Sequence, residues 1–99
     1  MTDDLTPDQR TLRDRAREVA RDAAAQAAET DRSGQYPWPM VRRMTEAGFM
    51  GLTIPRAWGG GGGSVMDATL VVEEFARACA VCGRIAVEAN MGAVGAIMA

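Results

Sequence analysis

Residues 5–27 read LTPDQRTLRDRAREVARDAAAQA, and this stretch decides the fold class. Thr6 supplies a side-chain oxygen for the free N–H groups of a first helical turn, Pro7 suits the first helical position, and Gln9 completes a capping box. Behind that start, Leu12, Ala16, Val19, Ala20, Ala23 and Ala27 recur at three- and four-residue steps, while Arg10, Arg13, Asp14, Arg17 and Arg21 fall elsewhere on the wheel. The apolar face is narrow and mostly alanine, so neighbouring helices can approach closely. About 23 residues at 1.5 Å each predict a rod of roughly 35 Å. Asp14, Glu18 and Asp22 interleave with the arginines, so the spacing predicts a solvated, charge-balanced outer face instead of a cationic ladder.

Downstream, Asp31 to Gln35 contains Ser33 and Gly34 and breaks the pattern, and the prolines of Tyr36-Pro37-Trp38-Pro39 open a second run. Met40, Val41, Met44 and Ala47 form its buried stripe, Arg42, Arg43 and Glu46 its wet side, and Gly48 is the left-handed residue that ends it. Phe49, Met50, Leu52 and Ile54 then predict a buried connector before Pro55. Gly59 to Gly63 cannot hold regular structure, because glycine loses the most backbone entropy on ordering. Ser64 and Asp67 make a second capping signature, followed by apolar Leu70, Val71, Phe75 and Ala78 beside Glu73, Glu74 and Arg77, all three expected to be exposed. The period is disturbed around Cys82 and Gly83. From Ile85, the residues Val87, Met91, Val94, Ile97 and Met98 keep helical spacing with no end signal, so the chain is expected to stop inside an apolar pattern, as a truncated or split polypeptide would. The predicted fold is all-α, a helical bundle of about four helices.

The 99 residues, 47% apolar and 24% charged, predict one domain spanning 1–99. The net charge of −2 and dispersed arginines show no nucleic-acid footprint. No stretch reaches the roughly 18 apolar residues of a membrane span, and Asp3 and Asp4 stand where a signal peptide would be basic, so a cytoplasmic protein with no membrane partner is expected. The chain has no histidine and no lysine, which removes imidazole acid/base chemistry, lysine Schiff bases and the Walker phosphate loop. The serines are isolated, and every acidic residue has a solvent-facing explanation. No catalytic or metal site is predicted from the residues themselves.

Three features stand apart. Cys79 and Cys82 have the CxxC spacing of dithiol redox sites and of half of many zinc sites, but no further cysteine or histidine completes a ligand set. Two small buried residues at a helix end is the preferred reading. The glycine run lacks both GxGxxG spacing and a P-loop lysine; a close approach to another backbone and proximity to a ligand both fit it, with Trp58 at its edge. Arg84 and Glu88 lie one turn apart in an otherwise apolar segment. They either pair at the surface or face a cavity, where they would bias it toward a polar ligand.

The order of landmarks resembles the N-terminal helical domain of the acyl-CoA dehydrogenase family. LTPDQRTLRDRAREVA at 5–20 is similar to that family's opening helix, and YPWPMVRRMTEAGFMGLTIP at 36–55 resembles its second helix and connector. WGGGGGS at 58–64 takes the place of the family's aromatic-Gly-Gly loop, VVEEFARACA at 71–80 is similar to its acidic third helix, and EANMGAVGAIMA at 88–99 resembles the start of the next.

The resemblance implies a three-part enzyme in which this α-domain precedes a middle β-domain and a C-terminal helical bundle, with FAD and an acyl-CoA thioester held between them in a homo-oligomer. In the family a glutamate takes the α-proton while the β-hydride passes to the flavin. That glutamate and the main flavin-binding residues belong to the later domains, so no catalytic role is assigned to Glu73, Glu74 or Glu88, and FAD is not expected to bind this chain alone. What carries over is part of the acyl-pocket wall, at Gly83, Arg84, Val87 and Glu88. Arg84 departs from the family's usual small or apolar choices, which favours a shorter or polar acyl group. The expected function is thus the N-terminal domain of an FAD-dependent enzyme for α,β-dehydrogenation of an acyl-CoA thioester, inactive without its missing domains or a companion subunit. The alternative is a non-catalytic helical interaction module that self-associates.

Overall fold

A computed structural model describes residues 5–91, and the expected apolar positions Val94, Ile97 and Met98 lie outside them. The described residues form four α-helices, α1 (Pro7–Ser33), α2 (Trp38–Glu46), α3 (Val65–Ala78) and α4 (Ala80–Asn90), with one 3-10 turn at Arg56–Trp58. There is no strand among them.

Both predicted capping boxes are present. Thr6 Oγ1 accepts from the Gln9 N–H while Gln9 Oε1 accepts from the Thr6 N–H, and Ser64 and Asp67 reciprocate in the same way at α3. Helix α1 runs through the expected break and ends only where Gly34 adopts φ 65° and donates to the Thr30 carbonyl. Asp31, Arg32 and Ser33 are tolerated in a helix, so the left-handed glycine sets the boundary. Gly48 does the same after α2, with φ 86°.

Helix α4 begins at Ala80, five residues before the expected start. A single extended residue, Cys79 at φ −158° and ψ 117°, separates α3 from α4. The disturbed periodicity at Cys82 and Gly83 marks a change of helix direction at Cys79, and Gly83 is where the two helices touch. A Cβ there would lie 2.5 Å from Ala76 Cα.

The core is built from the alanine face of α1 (Ala16, Ala20, Ala23), Met40 and Met44 of α2, Phe49 of the connector, Val71 and Phe75 of α3, and Cys82 and Ala86 of α4. Phe49 and Phe75 meet edge to face at 5.6 Å, a favoured aromatic geometry. Arg15 reaches from α1 across the Phe49 ring, 5.3 Å from its centroid, and donates to the Ala47 carbonyl at the end of α2.

Glu74 corrects the expectation of an exposed acidic pair. It is only 4% exposed, held by Arg17 through Nε–Oε1 at 3.1 Å and NH2–Oε2 at 3.2 Å, with Arg77 at 3.7 Å. One member of the solvated arginine face therefore turns inward to α3. The hydrogen bond and charge of Glu74 raise the Arg17 pKa above its ordinary value, so the fork remains cationic and bidentate.

Candidate functional site

Helix α4 presents Arg84, Ile85, Glu88 and Ala89 along one side of a cleft of about 440 Å³, with Met50 of the connector and Tyr36 of the α1–α2 link also lining it. The four-residue spacing sets Arg84 and Glu88 one above the other, and they are the two charged side chains of the lining. Both are exposed, and no ion pair joins them among the described residues. Their heads are thus available to a ligand in a cleft otherwise walled by Met50, Ile85, Ala89 and the Tyr36 ring. The four residues named from sequence do not share one surface. Val87 is half-buried and outside the cleft lining, and Gly83 is buried against α3.

Two contributors escaped sequence reading. Tyr36 makes an edge-on contact with Trp38, ring centroids 4.6 Å apart; the YPWP string signals a helix start and carries no mark of the cleft. Asn90, 2% exposed, ties the connector to α4: its Oδ1 accepts from the Leu52 N–H at 2.6 Å, its Nδ2 donates to the Phe49 carbonyl at 2.8 Å, and Thr53 Oγ1 donates to the Asn90 carbonyl. A lone asparagine in an apolar helix gives no periodic signal, so only the fold shows its partners.

The glycine run is explained by the close approach of two backbones. The N–H groups of Gly60, Gly61, Gly62 and Gly63 donate to the carbonyls of Pro55, Gly51, Ile54 and Leu52. A Cβ at Gly60 would lie 2.2 Å from the Ile54 oxygen. With those four donors engaged, the loop does not form a phosphate cradle.

Cys79 and Cys82 are buried free thiols. Burial, and then the hydrogen bond and charge of Cys79, push the Cys82 thiol up to about 12, away from the thiolate form that redox and zinc chemistry use. No cluster of three or more metal-ligating side chains occurs among the described residues, and none of their helices is long and apolar enough to cross a membrane.

The family model described as acyl-CoA dehydrogenase, N-terminal domain, matches residues 6–99. The chain belongs to the acyl-CoA dehydrogenase family. Within that family it is similar to proteins named 3-sulfinopropanoyl-CoA desulfinase, at 56% identity over 95 residues in Variovorax paradoxus and 50% over 95 residues in Advenella mimigardefordensis. Each alignment covers 95% of this chain and 24% of the relative. It is 34% identical over 84 residues to a probable acyl-CoA dehydrogenase, YngJ, of Bacillus subtilis, covering 84% of this chain and 22% of that protein. The chain therefore spans about a quarter of the length of these curated relatives. Its all-α architecture is that of the acyl-CoA dehydrogenase N-terminal domain.

Proposed function

We propose that this chain serves as the N-terminal α-domain of an enzyme acting on a short, anionic acyl-CoA thioester, with 3-sulfinopropanoyl-CoA as its substrate, and that the α4 cleft receives the acyl end. The observation that carries this reading is Arg84, a guanidinium without an ion-pair partner among the described residues, in an otherwise largely apolar cleft. An arginine fork matches the two oxygens of a sulfinate as it does those of a carboxylate. A plain alkyl chain would instead leave the cation desolvated and unpaired once the cleft is covered, which is unfavourable. Glu88, one turn away, is the other charged side chain of the same lining. The identity of 50–56% to desulfinases, against 34% to a probable acyl-CoA dehydrogenase, points the same way.

FAD, generally the cofactor of the family, enters this reading as a group held by polypeptide other than residues 1–99. The feature of this chain closest to a phosphate cradle, the glycine run, has its N–H groups engaged. The chain's own contribution is binding and orientation at the acyl end, and it is expected to be inactive alone. The similarity to YngJ supports a second reading, dehydrogenation of a short acyl thioester by the same assembly.

The test is a hybrid in which residues 1–99 replace the matching quarter of the Variovorax paradoxus relative. Sulfite release from 3-sulfinopropanoyl-CoA should be retained. Arg84→Met should raise KM at least about tenfold, as expected for loss of a bidentate charged contact of about 1.5–3 kcal/mol, and Arg84→Lys should recover only part of the loss. A flavin-loaded, folded hybrid whose KM is indifferent to Arg84→Met overturns the assignment of the acyl end. Oxidation of propanoyl-CoA without sulfite release selects the second reading.

A further inference from the structure

We infer that Asn90 is a positioning residue that sets the width of the acyl-end cleft, an inference that rests on the function proposed above. Besides Tyr36, the cleft has two walls of different origin. One is helix α4 and the other is the irregular connector, which reaches it through Met50. Phe49 anchors one end of the connector in the core, and the bonds that tie the segment around Met50 to α4 come from one residue, Asn90. The Asn90 side chain grips the backbone on both sides of Met50, at the Phe49 carbonyl before it and the Leu52 N–H after it. The same Nδ2 also donates to the Ala86 carbonyl at 2.9 Å, which fixes the amide on its own helix. Thr53 closes the arrangement by donating to the Asn90 carbonyl.

All these groups are buried or half-buried, where an unmade hydrogen bond is costly. The connector is therefore held at one distance from α4, and Met50 with it. Asn90 itself does not line the cleft; it acts through Met50. A wall held at a fixed position limits how far the cleft can widen for a longer acyl end, because packed apolar groups tolerate little extra volume.

Two measurements decide the matter. In the 99-residue chain, Asn90→Ala should speed exchange of the Leu52 amide at least about tenfold relative to amides of α1, the signature of local loosening. In the hybrid enzyme, Asn90→Ala should raise KM for 3-sulfinopropanoyl-CoA about tenfold while kcat stays within about twofold, and should improve longer acyl thioesters relative to it. Thr53→Val, which removes one outer bond, should move KM and selectivity in the same direction by less, and serves if Asn90→Ala does not fold. Val71→Ala, a core truncation remote from the cleft, should lower stability without this KM shift. Unchanged Leu52 exchange overturns the clamp. Loosened exchange with unchanged KM and acyl preference overturns the positioning role. An unsubstituted hybrid that releases no sulfite overturns the substrate reading instead, and so is distinguished from either.

Discussion

Individual side chains in this domain owe their character to what the fold places beside them. Cys82 is the clearest case. Burial first, and then its partner Cys79, raise the thiol from an ordinary 9.0 to about 12. An acid whose folded pKa is raised holds its proton longer than the unfolded chain does, so its contribution to stability is complete below the unfolded value. That contribution is lost as pH rises through the window from about 9 to about 12. Melting followed by circular dichroism should fall more steeply between about pH 8 and pH 10.5 for the unsubstituted chain than for Cys82→Ala. Equal slopes would show that the thiol is not desolvated. Glu74 makes the same point with opposite chemistry, since a carboxylate in sequence beside Glu73 becomes a buried partner for Arg17.

At the level of elements, local sequence signals set the starts of helices while contacts set their relations. Two capping boxes and the left-handed Gly34 and Gly48 fix boundaries without help from distant residues. The α3–α4 crossing differs, because its geometry hangs on Gly83 lying against the backbone of Ala76. In a free helix Gly→Ala is favourable by roughly 1 kcal/mol. Here the added methyl would meet Ala76 Cα at 2.5 Å and Ala76 N at 2.9 Å, and backbone does not yield as a flexible side chain does. Gly83→Ala is therefore expected to destabilise by about 1–3 kcal/mol, as overpacking does, read as a lower urea midpoint at unchanged m-value. A stabilised variant would mean that the crossing is looser than described.

The whole described body measures 37 × 33 × 21 Å, about two helix diameters thick. A slab of that thickness exposes much of what it packs. Trp58 is 77%, Val65 67% and Trp38 62% exposed, large apolar groups of the kind found where another surface docks. A 99-residue chain buries only roughly 60–70% of its unfolded surface, so stability alone should be modest. Sedimentation velocity of the isolated chain should show concentration-dependent association that weakens on combining Trp38→Ser with Trp58→Ser. A monomer across the whole concentration range would argue that these aromatics have no docking role.

The sequence by itself determined the all-α class, the capped starts of α1 and α3, the glycine stop after α2, and Arg84 and Glu88 as neighbours on one helix. Each depends on interactions within a few residues, which periodicity and capping rules read directly. The tertiary structure alone decided that Glu74 is buried, that α4 begins at Ala80, that the glycine run is a backbone crossing, and that Asn90 bonds the backbone on either side of Met50. Those outcomes depend on partners 37 to 57 residues away for Asn90 and Glu74. A hydrogen bond or close approach across such a separation leaves no spacing pattern in the chain.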